Sequence, residues 1–273
     1  MPELPEVETV VREIRGGLLK RSITAARFAV PRQVAPQTPR GLDRVLHGQT
    51  IRDVRRRGKH ILILLDRGLL IVHLRMTGRL YIRDAADGER LHERAWFDLS
   101  DGRVLAFRDP RTLGVIRYVR DGETPAMLNG LGWEPLHDRI SPDDLKAVLS
   151  RRTVAVKLLL LDQKVWAGIG NIYASEILWE AKINPRKRAS RLTRFERQEL
   201  CEWVPNVLRR ALDQGGSTLR DFVGADGRTG SYQREFRVYG REGEPCPRCR
   251  APIRRIVQAQ RSTYFCPRCQ KRS

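Results

Sequence analysis

The first eight residues, MPELPEVE, put two prolines and three glutamates at the start of the chain. If Met1 is removed, which a small second residue permits, Pro2 presents a secondary amine. An α-amino group titrates near ~7.7–8.0, so a useful fraction is an unprotonated nucleophile at neutral pH. Attack on a sugar C1′ would displace a base and leave an iminium, and Glu3 and Glu6 would transfer protons. A frayed, solvent-exposed terminus explains these residues equally well.

Four of the five cysteines form two CxxC pairs near the end of the chain: Cys246, Cys249, Cys266 and Cys269. This spacing predicts a tetrahedral zinc site with four thiolate ligands and no open position for a reacting water. We therefore expect one structural Zn²⁺ and no catalytic cofactor. Two disulfides are the alternative, which a reducing intracellular compartment disfavours.

The 273 residues carry 52 Lys and Arg against 32 Asp and Glu, a net charge of +20. This positive field attracts polyanions, of which duplex DNA is the commonest inside cells. Most of the basic residues are arginines, whose planar guanidinium suits phosphate and guanine. A basic surface that binds nothing is the alternative. Because no run of 18 apolar residues and no signal peptide is found, we expect a soluble, cytoplasmic protein that makes no membrane contact.

The elements that must position these groups change in type along the chain. A helix is predicted over residues 3–18, where apolar residues recur at helical spacing. Strands are predicted at 23–30, 50–57, 60–65, 69–74, 95–99, 103–108 and 115–120, joined in places by the turn sequences DRG and SDG. The second half is helical, with capping signals at Ser141 and Thr193 and two helices, 154–161 and 172–181, that flank a glycine-containing turn.

The predicted fold class is α+β. Residues 1–125 are expected to form an N-terminal helix and β-sandwich, and residues 126–136 a linker. Residues 137–240 are expected to form a helical domain that includes a glycine-rich loop. Residues 241–273 are expected to form a zinc-binding β-hairpin.

Motifs along the whole chain resemble those of bacterial formamidopyrimidine-DNA glycosylases. They are PELPEVETV at 2–10, RGK at 57–59, HLRMTG at 73–78, RDPR at 108–111, GIGNIY at 168–173 and the four cysteines. The resemblance implies a helix–two-turn–helix motif in the helical domain and a C-terminal zinc finger. It implies a base-excision-repair enzyme that removes 8-oxoguanine opposite cytosine and formamidopyrimidines from double-stranded DNA, and then nicks the strand as an AP lyase by β/δ-elimination.

The resemblance also assigns catalytic roles. Pro2 corresponds to the Schiff-base nucleophile, and Glu3 to the general acid/base at the deoxyribose. Glu6 corresponds to a structural or catalytic glutamate, and Lys59 to the lysine that binds the phosphate flanking the lesion. Without the motif, Lys59 would be interpreted as an ordinary exposed strand lysine.

Further residues occupy DNA-contacting positions of the family. These are His73 near the same phosphates, Met76 and Leu113 as wedges, Arg111 facing the orphaned cytosine, Asn171 and Arg261 at backbone phosphates, and Lys157 at a position associated with substrate preference. The family normally has Phe in place of Leu113. Taken alone, His73 would be a partly buried strand histidine, Met76 and Leu113 core residues, and Asn171 a helix N-cap. Residues 215–239 resemble the lesion-recognition loop.

Two other functions fit part of the sequence. The endonuclease VIII branch shares the proline and the helical motif but prefers oxidised pyrimidines, whereas the opening LPEV favours the purine branch. A non-catalytic zinc DNA-binding protein would explain the charge and the cysteines but would leave Pro2 and Glu3 without a task. We expect a monomer, because one bent duplex fills one interdomain cleft, and a nucleoid-associated location in a bacterium.

Overall fold

The computed structural model describes residues 1–150, 152–217, 224–225, 227 and 229–271. The chain forms two compact units: Met1–Asn129 with Gln214–Ser231, and Gly130–Asp213 with Tyr232–Ser273. From the sequence, the loop 215–239 is predicted to belong to the helical domain. In the structure its first part instead belongs to the N-terminal unit, because the described residues Ser217 and Gly224 hydrogen-bond to Glu6 and Arg79.

The described part of the first unit contains two helices and eight strands. The helices are α1 (Leu4–Leu18) and α2 (Pro39–Leu46). The strands are β1 (Ile23–Phe28), β2 (Ile51–Arg57), β3 (His60–Leu65), β4 (Leu69–His73), β5 (Arg79–Asp84), β6 (Glu93–Leu99), β7 (Arg103–Arg108) and β8 (Val115–Val119). They form two antiparallel sheets, in the orders β1-β6-β7-β5 and β2-β3-β4-β8.

One hydrophobic core joins α1 to both sheets, which confirms the predicted helix and β-sandwich. The buried stripe of α1 contains Val7, Val10, Val11, Ile14 and Leu18. Burying a side chain of this size contributes about 1.5–3 kcal/mol relative to leaving it in water, so α1 is held firmly against the sheets. The packing of α1 therefore also holds the residues at its N-terminus in place.

Two elements in the described part of the first unit, β5 and α2, are not predicted by the sequence pattern. Strand β5 lacks polar/apolar alternation because its outer face is also buried. There Tyr81 and Arg83 both donate to the buried carboxylate of Glu93, at 2.6 and 3.0 Å. Helix α2 is short, and its start is fixed by Pro39 in the first turn and by the Thr38 hydroxyl, which accepts from the Gly41 N–H.

The described part of the second unit is helical and ends in a hairpin. Its helices are α3 (Pro142–Leu149), α4 (Val156–Leu161), α5 (Asn171–Glu180) and α6 (Arg194–Asp213), followed by β9 (Arg254–Gln258) and β10 (Arg261–Phe265). The capping signals at Ser141 and Thr193 are confirmed, since each exchanges two hydrogen bonds with the acidic residue three positions later. Among the described residues, no helix combines the length and apolar character of a membrane span.

Candidate active site and nucleic-acid interface

The start of α1 is an ordered, buried structure and not a frayed terminus. Pro2 is buried and Glu3 is only 3% exposed, whereas Met1 is 45% exposed. Glu3 is the N-cap of α1, and its backbone N–H donates to Glu6 Oε2 at 2.9 Å. The Glu3 side chain in turn accepts from the Glu6 N–H, which completes a capping box. With Met1 attached, the nitrogen of Pro2 is a tertiary amide, and removal of Met1 would make it an amine.

Glu6 is bound by two separate segments of the first unit. Its Oε2 accepts from Glu3, and its Oε1 accepts from the N–H and the hydroxyl of Ser217 at 2.7 and 2.9 Å. Its side chain is almost fully buried. Through these contacts Glu6 positions Glu3 and Ser217. Of the two roles predicted for Glu6, structural or catalytic, they favour the structural one.

Two ion pairs fix the direction of α1 relative to β2. Arg15 pairs with Asp53 at 2.8 Å, and Glu8 pairs with Arg56 at 2.9 Å, so the two elements run antiparallel. The spacings agree, because seven helical residues and three strand residues each span about 10 Å. Beyond the Glu8–Arg56 pair, α1 begins at Leu4 and β2 ends at Arg57, so the start of the helix, with Pro2, and the β2–β3 turn, with Lys59, follow in the same direction. The predicted nucleophile and the predicted phosphate-binding lysine thus lie at the same end of the sandwich.

Lys59 lies in the tight turn between β2 and β3. Gly58 has φ of +55°, and its carbonyl accepts from Arg56 Nη1 at 3.0 Å. Lys59 itself is 7% exposed, so interpreting it as an ordinary exposed strand lysine is wrong. The buried guanidinium of Arg56 fixes both the turn and, through Glu8, the helix.

His73 and His60 stack edge to face beside this turn, with ring centroids 4.7 Å apart. Burial, followed by the neighbouring His60 and Arg75, lowers the pKa of His73 to about 3. Burial also lowers the pKa of His60 to about 4, with smaller contributions from Arg75 and Lys59. The Arg75 N–H donates to His73 Nδ1 at 3.0 Å, so the proton of the neutral ring is on Nε2. At neutral pH His73 is therefore an uncharged hydrogen-bond donor.

Two loops present apolar side chains to solvent. Met76, after β4, is 42% exposed, and Leu113, after β7, is 43% exposed. Interpreting them as core residues is therefore wrong. Arg111 is also exposed and lies two residues before Leu113. Exposed apolar groups beside an arginine are the combination used to stabilise a kinked duplex.

Asp109 was not singled out in the sequence, although it lies within the RDPR motif. It is fully buried and accepts hydrogen bonds from Thr77, Gly114 and Gln33. An aspartate directly before a proline turn, among residues of the opposite charge, is the signal by which it could have been found.

The four predicted ligand cysteines meet in the second unit. Their Sγ atoms all lie within 4.8 Å of one another, with 3.4 Å between Cys249 and Cys266 and 4.0 Å between Cys246 and Cys269. A Zn–S distance of about 2.3 Å gives a tetrahedral edge of about 3.8 Å, so the set fits one structural zinc ion. The cysteines are not disulfide-bonded, so the disulfide alternative is wrong. The indole N–H of Trp179 donates to Cys246 Sγ at 3.4 Å and supports the thiolate.

The hairpin of the zinc finger is held by polar residues of the helices. Ala259 and Gln260, with φ of +45° and +61°, form its two-residue turn, and the exposed Arg261 follows at the start of β10. Asn171 Nδ2 donates to the carbonyl of Ser262 at 3.0 Å. Gly170, and not Asn171, is the N-cap of α5, so the N-cap interpretation of Asn171 is wrong.

Lys157 supports the same hairpin from inside the unit. Its ammonium donates to the carbonyl of Ser262 at 2.9 Å and to the hydroxyl of Thr263 at 2.6 Å, and its side chain has no exposed surface. This placement does not support the predicted DNA contact, because a group without exposed surface cannot reach a phosphate. Lys157 instead holds the strand that begins with Arg261.

Comparison with known proteins extends these observations over the whole chain. Residues 1–116 match the formamidopyrimidine-DNA glycosylase N-terminal domain, and residues 131–223 match the formamidopyrimidine-DNA glycosylase H2TH domain. Residues 243–272 match the zinc finger found in FPG and IleRS. All three matches follow the order in which the motifs occur.

Relatives and solved structures match this chain over nearly its full length. The formamidopyrimidine-DNA glycosylase of Variovorax paradoxus is 44% identical, over 99% of this chain and 100% of that protein. Lactococcus lactis Fpg in complex with DNA that contains Fapy-dG is 34% identical, with a TM-score of 0.91 over 99% of this chain and 100% of that one. Its complex with DNA that contains an abasic site has the same identity, coverage and TM-score. The chain belongs to the formamidopyrimidine-DNA glycosylase family.

Proposed function

We propose that this protein is a base-excision-repair enzyme that removes oxidised purines from double-stranded DNA and then cleaves the strand as an AP lyase. The observation that carries the proposal is the ordered start of α1, where Pro2 is followed by a carboxylate locked in a capping box. In a non-catalytic DNA-binding protein Glu3 would serve only as a helix cap, and the nitrogen of Pro2 would have no task. The relatives' names and the Fapy-dG in the DNA of one solved complex support oxidised purines as substrates.

The proposed reaction begins when the nitrogen of Pro2 attacks C1′ and the bond to the damaged base breaks. The departing base takes up one proton, and the ring oxygen O4′ takes up another when the C1′–O4′ bond breaks. The nitrogen of Pro2 gives up one of these protons and Glu3 donates the other, and the product is an iminium between Pro2 and the opened sugar. The iminium accepts electrons when a 2′ proton is removed and the 3′ phosphate leaves. A second elimination expels the 5′ phosphate, and water then releases Pro2.

The remaining residues are proposed to hold and deform the duplex. A stacked base is out of reach, so it must be extruded, at a cost of a few kcal/mol. Met76 and Leu113 fill the gap and Arg111 faces the orphaned base. Lys59 and the neutral imidazole of His73 contact phosphates beside the lesion. In the other unit, Asn171 and Arg261 contact phosphates, and Asn171 is hydrogen-bonded to the carbonyl of Ser262, the residue after Arg261.

A strand-cleavage assay tests the substrate class. We expect rapid cleavage of duplexes with 8-oxoguanine opposite cytosine, slower cleavage with 8-oxoguanine opposite adenine, and the slowest cleavage with thymine glycol. The reverse order would favour the pyrimidine-specific branch. Borohydride should reduce the iminium to a stable covalent link, whereas a DNA-binding protein without catalysis would not be trapped. A monomeric state and a cytoplasmic, nucleoid-associated location remain predictions.

Loss of zinc should weaken DNA binding without unfolding the rest of the chain. Metal binding provides the folding free energy of such small elements, so Cys249→Ser should unfold the hairpin that presents Arg261. We expect an affinity loss of about tenfold or more for any duplex, with a smaller salt dependence. Zinc content, circular dichroism and fluorescence anisotropy measure the three effects. Cys201→Ser is the matched control, since Cys201 lies on α6 outside the ligand set, and normal binding by the zinc-free protein would contradict the assignment.

Arg111→Ala should selectively reduce excision opposite cytosine. If Arg111 reads the orphaned base, its loss should cost ~1–3 kcal/mol against the cytosine duplex and much less against the adenine duplex. If it only binds phosphate, both duplexes should weaken about equally, and the salt slope should fall by about one. The measurement is single-turnover excision of 8-oxoguanine opposite each base. An unchanged preference for cytosine in the variant would leave Arg111 as a phosphate contact.

A further inference from the structure

One buried carboxylate ties together the loops that carry Met76 and Leu113. Asp109 Oδ1 accepts from the hydroxyl of Thr77 at 2.6 Å, and Thr77 directly follows Met76. Asp109 Oδ2 accepts from the N–H of Gly114 at 2.7 Å, and Gly114 directly follows Leu113. The same oxygen accepts from Gln33 Nε2 at 2.9 Å, so a third segment is attached as well. Each exposed apolar residue is thus next to a residue bound to Asp109.

The backbone beside each apolar residue is also in an unfavourable conformation. Arg75, just before Met76, has φ of +54°, and Thr112, just before Leu113, has φ of +52°. Non-glycine residues adopt this left-handed region only where surrounding contacts enforce it. The Thr112 N–H donates to the backbone carbonyl of Asp109 at 3.2 Å, which helps to hold that residue. Each loop thus has a non-glycine residue with positive φ directly before its exposed apolar residue.

We propose that Asp109 is the positioning residue that fixes the two loops as one preformed unit, so that Met76 and Leu113 can enter the duplex together. This inference rests on the proposed role of these side chains as wedges. Apolar side chains on unconstrained loops would have to be ordered when DNA binds, and that entropy would oppose extrusion of the base. Loops already joined through a buried carboxylate avoid the ordering step.

Two substitutions are expected to weaken the hydrogen bonds between Asp109 and the two loops to different degrees. Thr77→Val keeps the shape of the side chain but removes the hydroxyl, and it should slow single-turnover excision from a fully paired duplex about 2- to 10-fold. Asp109→Asn leaves one acceptor oxygen in place of two, and it should slow the same reaction about tenfold or more. The matched control is Thr24→Val, on β1, whose hydroxyl donates to the carbonyl of Asp98 and to neither loop.

The decisive comparison uses the same lesion in an unpaired bubble, where little unstacking is required. There we expect Thr77→Val, Asp109→Asn and Met76→Ala to be within about twofold of the unmodified protein, because extrusion no longer limits the rate. A loss of equal size on paired and unpaired substrates, with a lower melting temperature, would mean that Asp109 only stabilises the fold, and would overturn the inference.

Met76→Ala separates this inference from the proposed function. If Met76→Ala slows the paired substrate but Thr77→Val and Asp109→Asn behave like Thr24→Val, the wedge role holds and the positioning role of Asp109 is overturned. If Met76→Ala excises at the normal rate from the paired duplex, the wedge role and the inference both fail. If all three variants are slow only on the paired substrate, Asp109 acts through the wedge loops.

Discussion

Keeping Met1 attached to Pro2 is expected to abolish both base excision and strand cleavage, by a factor on the order of 10⁴ or more. The reason is that the nitrogen of Pro2 is then an amide, whose lone pair is delocalised and cannot attack C1′. Pro2→Gly should act differently, because its processed chain still begins with an amine. We expect it to lose most base excision, since the ring that fixes the nitrogen is gone, while it retains part of the cleavage at a preformed abasic site.

Comparing these two proteins tests the nucleophile more sharply than either one alone. Both should bind damaged duplex with normal affinity, because Pro2 contributes no charge-paired DNA contact in this proposal. Borohydride should trap the processed Pro2→Gly protein on abasic DNA, and should not trap the unprocessed protein. If the protein with Met1 in place, verified by mass spectrometry, excised 8-oxoguanine at the normal rate and was trapped, Pro2 would not be the nucleophile.

The layers of the fold could be predicted from local pattern, and the failures have a common cause. Helix α1 and all seven predicted strands lie within two residues of their predicted bounds. Their sequences show a clear periodicity because each element buries one face in the core. Strand β5 was missed because Tyr81 and Arg83 are buried on the opposite face by a distant partner, Glu93. A pattern within one segment does not reveal such a partner.

The same limit applies to the candidate site. The cysteines could be predicted because their spacing alone determines the geometry of the zinc site. The role of Lys157 depends on Ser262 and Thr263, more than a hundred residues away, and its burial could not be inferred from its own segment. Asp109 likewise gains its importance from Thr77, in another loop. Contacts between distant segments decide whether a charged residue faces a ligand or supports the residues that do.

Glu3→Gln is expected to lower single-turnover excision by about 10²–10⁴-fold while DNA affinity stays near normal. A carboxylate that transfers protons contributes to the barrier and not to binding. The fold should survive, because the side-chain amide oxygen of the variant can still accept from the Glu6 N–H and keep that half of the capping box. The substitution therefore separates the chemical role of Glu3 from its structural role at the start of α1.

The control must match the change in charge, because removing one negative charge from any protein of this kind strengthens DNA binding slightly. Glu89→Gln provides it: Glu89 is exposed on the same unit and pairs with the exposed Arg27. We expect Glu3→Gln and Glu89→Gln to bind equally well, and only Glu3→Gln to lose excision. Near-normal excision by Glu3→Gln would move the proton transfer to another group, and the buried, fully engaged carboxylate of Glu6 is poorly placed to replace it.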